Sequence, residues 1–210
     1  MIFAIDYFAT IRVRTARTNF FSMTDEIFIK AIQQKTKEAK DKVKFEFSDI
    51  SLDQLNWKSS PGSWSIAQCL DHLIIADRSY FSDLKKITEG TYKMSFWEKH
   101  SPFTGLCGRI MKDQLRERVK KKMTAPKKLQ PTISDKSLDI IDTYYENLDT
   151  FLELISNCKN VDIDKTIITS PIIRIVTYSL RDALYFLVQH EHRHINQAIV
   201  VKANEKFPGK

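Results

Sequence analysis

Glycine and proline are scarce in this chain, 5 and 6 among 210 residues. Folds built on many tight turns consume both, because glycine supplies positive φ and proline pre-sets turn geometry. Their scarcity disfavours an architecture of many short strands and favours few, long elements, which points to helices. Cysteine is also sparse. Cys69, Cys107 and Cys158 are odd in number and widely spaced, so they make neither a CxxC metal knuckle nor a disulfide framework, and a reducing cytoplasm suits them. No apolar run approaches the roughly 18 residues needed to cross a bilayer.

What remains is the composition of an ordinary globular protein, 42% hydrophobic and 28% charged, and the length fits one domain. The net charge is +7. Its clearest run, Lys120, Lys121 and Lys122 followed by Lys127 and Lys128, lies beside Pro126 and Pro131 without interleaved aromatics. It reads as a solvated helix end and loop, so nucleic acid is not an expected partner. In Met1 to Phe21, Asp6 interrupts the apolar stretch and the arginines follow it, the reverse of a secretory signal. Residues 1–22 are therefore expected to be a loosely structured extension, and 23–210 the domain. Met23, just before a capped helix start at Thr24, Asp25 and Glu26, is a candidate initiator.

Hydrophobic spacing predicts four main helices. The first runs from Thr24 to Lys44 with Phe28, Ala31, Ile32 and Ala39 inward. The second, capped by Ser63, runs from Trp64 to Thr88 along Ile66, Cys69, Leu70, Leu73, Ala76, Tyr80, Leu84 and Ile87, and Gly90 stops it. A long crossover with one helical piece at Leu106 to Lys121 follows. Ser134 or Ser137 caps the third helix, through Asn157, whose predicted stripe is Leu138, Ile141, Tyr145, Leu148, Leu152 and Ile155. The fourth extends from Ser179 to Ala203. No strand pair stands out. The predicted fold is all-α, a four-helix bundle in which the long middle connection frees neighbours from strict up-and-down order.

The fourth helix carries the sharpest signal. Its seam reads Leu180, Ala183, Leu187, His190, His194, Gln197, Val201, which puts two histidines on the core stripe. Residues four apart stack on one helix face, with β-carbons roughly 5–6 Å apart, so both imidazoles can reach one ion. A buried histidine is usually satisfied by a hydrogen bond alone. Two on the same apolar seam are harder to satisfy that way, since each unpaired polar group costs about 1–3 kcal/mol. His72, flanked by the small Cys69 and Ala76, is the candidate third ligand. His192 points about 200° away from His190 and is expected at the surface, as is His100. One divalent ion on His72, His190 and His194 is the expected cofactor.

His190, Glu191 and His194 also match the HExxH pattern of zinc proteases, in which the glutamate is the general base. Those proteases take a third ligand downstream, and the sixteen residues after His194 contain no histidine. Glu191 stays the candidate catalytic residue and Asp71 a similar one. Arg193 and Gln197 are placed to support His194 from behind, although an ion pair suits Arg193 equally.

Three passages resemble the DinB-like superfamily of metal-binding four-helix bundles, which includes bacterial proteins related to bacillithiol and mycothiol transferases. Trp64-Ser65 through His72-Leu73 is similar to its W-S-x-x-x-x-x-x-H-L segment, Ser170-Pro171-Ile172 to the loop before its last helix, and His190 through Gln197 to its H-x-x-x-H-x-x-Q ending. The resemblance implies zinc, nickel or a similar ion on His72, His190 and His194. It also implies transfer of a low-molecular-weight thiol to an electrophile, with metal-assisted hydrolysis and a non-catalytic stress-related scaffold as alternatives, and a homodimer as the assembly. The basic N-terminus and the lysine-rich middle segment depart from the family pattern.

Overall fold

A computed structural model describes residues 24–102, 104, 126–131 and 135–209. The N-terminal extension, the helical piece expected at Leu106 to Lys121, Cys107 and Ser134 lie outside them. The described chain is mostly helical. Its elements are α1 (Asp25–Phe47), α2 (Leu52–Asn56), α3 (Ile66–Thr88), α4 (Phe96–His100), a 3₁₀ turn at Lys127–Leu129, α5 (Asp139–Asn157), a second 3₁₀ turn at Cys158–Asn160, β1 (Ile167–Thr169), β2 (Thr177–Ser179) and α6 (Leu180–Lys202).

Local chemistry sets the helix ends. Ser65, and not Ser63, caps α3: its side chain accepts from the Gln68 N–H while the Gln68 side chain accepts from the Ser65 N–H, a reciprocal capping box. Ser63 is instead used inside the preceding turn, donating to the Ser60 carbonyl and accepting from the Ser60 N–H. Gly90, at φ +69°, ends the helix in the left-handed region. The helix at 139–157 starts after Leu138 with no side-chain cap, and α6 is capped by Ser179.

Side-chain pairs give the helix directions. Arg181 pairs with Asp25 at the starts of α6 and α1, and Lys202 with Glu46 at their ends, so these two run parallel. Asp77 meets Asn147 and Phe81 stacks on Phe151, so α3 and α5 are also parallel. Tyr80 reaches Tyr178 just before α6 while His72 meets His190, which makes α3 and α6 antiparallel. A parallel α3 and α5 require the chain to travel back along about 35 Å of helix between them, and this accounts for the long middle connection.

The expected stripe of α3 is buried throughout. In α5 the expected positions Leu148 and Ile155 are buried, but the rest of the inward face is turned by about one residue: Ile140, Tyr144, Asn147, Phe151 and Leu154 are buried, whereas Leu138 is 45% exposed. The polar Asn147 hid this series, because it occupies the core only by virtue of its bond to Asp77. A second departure is the antiparallel pair β1–β2, with Ile168 opposite Tyr178. Strands of three residues are too short to display an alternating pattern.

Candidate metal centre

His72 lies in the second turn of α3, and His190 and His194 lie one turn apart in α6. The antiparallel packing of those helices brings all three together. Their ring centroids form a nearly equilateral triangle, 4.8 Å for His72–His190 and 4.5 Å for each of the other pairs. One nitrogen from each ring falls within 4.8 Å of the other two, and among the described residues this is the sole such grouping of His, Cys, Asp or Glu. Nε2 of His72 and Nε2 of His190 are 3.0 Å apart. Nitrogens on one tetrahedral ion at 2.0–2.1 Å are separated by roughly 3.3–3.4 Å, so small ring movements suffice to fit one.

The second nitrogen of each ring is treated differently. The His72 Nδ1–H donates to the main-chain carbonyl of Leu129 at 2.5 Å, and the His194 Nδ1–H donates to Oε1 of Gln197 at 3.0 Å. A carbonyl oxygen can only accept, so both rings carry their proton on Nδ1 and present a bare Nε2. His190 Nδ1 is buried without a partner, and its ring is held by stacking on Phe186, 5.5 Å between centroids. Trp64 covers the other two, tilted over His72 and stacked on His194. His72 is 2% exposed and His190 9%, while His194 is half-buried and forms the open side.

Burial holds all three rings in their neutral form. It lowers His72, against the opposing pull of Leu129 and Asp71. His190 is pushed well below the usual histidine range by burial and then by the charges of His194, His72 and Arg193. His194 is pushed down to about 3 by burial, with His72 and Arg193 adding to it. Neutral imidazoles are the ligand form, so the donor set fits a divalent ion.

Glu191 lies elsewhere. It is fully buried, accepts the Tyr144 hydroxyl proton and is hydrogen-bonded to Asp77, which in turn accepts from Asn147 at 2.7 Å. Burial raises its carboxyl to about 7, and raises Asp77 well above the ordinary range with the Glu191 charge adding. Asp77 Oδ1 and Glu191 Oε1 have no N–H donor, so the pair is satisfied when one carboxyl keeps its proton. Sequence reasoning missed Asp77, Tyr144 and Asn147; polar residues on an otherwise apolar stripe were the available signal. Asp71 is tied to Lys136 at 3.0 Å.

The remaining histidines divide. His100 is exposed, stacked on Phe96. His192 is half-buried rather than superficial, with Nε2 against the Lys35 carbonyl at 3.0 Å, because α1 packs on that side of α6.

Among curated proteins and among solved structures nothing matches the chain. The sequence does match the family described as the DinB superfamily over residues 36–198, which takes in all three histidines, the whole of α3 and most of α6. On that match, spanning well over half its length, the chain belongs to the DinB superfamily.

Proposed function

We propose that this chain is a divalent-metal-binding protein whose four long helices form the DinB-like bundle, and that it acts as a metal-dependent thiol S-transferase. The observation that carries the reading is the convergence of three neutral imidazoles, two of them locked to present Nε2, with no fourth protein ligand among the described residues. Structural zinc sites are closed by four protein ligands, whereas three leave room for an exogenous one. Imidazole donors suit zinc and nickel.

His72, His190 and His194 would hold the ion. When bound it supplies Lewis acidity that favours the thiolate form of a thiol at neutral pH. The chain's own residues do the rest: Leu129 and Gln197 fix two ring orientations, Phe186 and Trp64 wall the rings with apolar surface, and the half-buried His194 edge admits the thiol and its electrophile. A hydrolytic reading through Glu191 as general base is less favoured, because Tyr144 and Asp77 already take its carboxyl. The scaffold reading, an ion that merely ties α3 to α6, predicts no contact with added thiol. A reducing cytoplasmic setting, in keeping with the buried free thiols Cys69 and Cys158, and a homodimer formed through exposed apolar side chains such as Phe45 and Val200 belong to the same proposal.

The test is a cobalt-loaded protein titrated with small thiols and then offered an electrophile. Thiolate-to-cobalt charge-transfer absorption followed by conjugate formation supports transfer. A spectrum that thiols never alter contradicts it.

A further inference from the structure

The crossover returns to the helices at a place where it touches the metal centre. Residues 126–131 form a short limb with proline at each end, Pro126 and Pro131, around the 3₁₀ turn closed by the Leu129 N–H on the Pro126 carbonyl at 2.8 Å. Two consecutive residues of α3 receive the returning chain. His72 donates Nδ1–H to the Leu129 carbonyl at 2.5 Å, and Asp71 takes the Lys136 ammonium at 3.0 Å, with both side chains largely covered. The main chain of Lys136 is held as well, its N–H donating to Asn56 Oδ1 at 2.8 Å and its carbonyl accepting from Asn56 Nδ2 at 2.7 Å.

An imidazole with no partner divides between two tautomers. A fixed acceptor at Nδ1 selects the one that offers Nε2, and this outer partner also raises the basicity of the ligand. Coordination at Nε2 draws electron density from the ring and makes the Nδ1–H a stronger donor, closer to the charge-assisted class. The proline ends limit the freedom the limb loses on docking. We propose that the Leu129 carbonyl is a positioning group for the metal ligand His72, and that ion binding and docking of the limb at residues 126–131 are thereby coupled. Coupling of this kind is reciprocal: whatever the docked limb adds to ion affinity, the ion adds to the stability of the docked limb. The proposal rests on the metal-binding reading above and assigns the crossover a part in it.

Two measurements on the full chain test it, with zinc alone as the probe. Hydrogen exchange at the amides of residues 127–130 is expected to slow when zinc is added to the wild type, and this readout needs no variant. Lys136→Ala, which releases the limb's neighbouring anchor without touching a ligand, is expected to weaken zinc about 10-fold, the lower end of outer-partner losses, and to change the cobalt absorption spectrum, while Lys136→Arg restores both. Exchange at 127–130 that is the same with and without zinc, in a wild type that binds zinc, overturns the coupling and leaves the metal reading standing. A wild type that binds no zinc overturns both.

Discussion

His72 Nε2 and His190 Nε2 stand 3.0 Å apart although 118 residues separate them in the chain. Two buried, neutral rings cannot both donate across such a gap. The Leu129 carbonyl commits the His72 proton to Nδ1, so without an ion His190 must donate from Nε2, leaving its own Nδ1 as the buried orphan. An ion between the three rings replaces that contact with bonds to each.

Gln197→Ala removes the acceptor at His194 Nδ1 and leaves the coordinating nitrogen in place. Zinc affinity, measured by chelator competition, is expected to fall about 10-fold, as losses of outer partners do, with the metal stoichiometry unchanged at saturation.

Glu191→Gln separates the acid pair from the histidines through its pH dependence. A carboxyl raised from 4.5 to about 7 in the folded state contributes stability that is fully present below the unfolded value and is lost as pH rises through the folded one. Glutamine can still accept the Tyr144 proton and does not titrate. Relative to wild type, the variant is therefore expected to gain stability from about pH 5 to about pH 7 in urea denaturation and to level off above that. A pH-independent difference would show that the carboxyl titrates normally.

Ser65→Ala deletes one half of the capping box that starts α3. Loss of such a cap costs about 0.5–2 kcal/mol, readable in the denaturation midpoint. Because His72 lies only two turns further on, metal affinity is expected to weaken with it.

Trp64 lies over His72 and His194, with centroids 4.8 and 5.6 Å away, whereas Trp57 packs on Phe207. Nickel or cobalt added to the protein is expected to quench tryptophan emission, and Trp64→Phe is expected to remove most of that response. Equal quenching in the variant would place the ion elsewhere.

Much of this was legible in the sequence, for reasons that mark its limits. The stripe of α3 and the seam of α6 are long and periodic, and two histidines on an apolar seam announce themselves. The α5 register was not legible, since that helix has two neighbouring apolar stripes and the inward one is interrupted by Asn147, whose partner Asp77 is 70 residues away. Glu191 was visible as part of HExxH, but its partners depend on how α5 packs. Leu129 was invisible in principle: it acts through a main-chain carbonyl, which every residue has.

Metal content after purification is the most direct test. Wild type equilibrated with zinc and dialysed is expected to retain one equivalent, and His72→Ala, His190→Ala and His194→Ala each to retain far less while staying helical by circular dichroism. Stoichiometric, tightly held zinc in a folded His72→Ala protein would contradict the account, because no ion shared between α3 and α6 could survive the loss of α3's ligand.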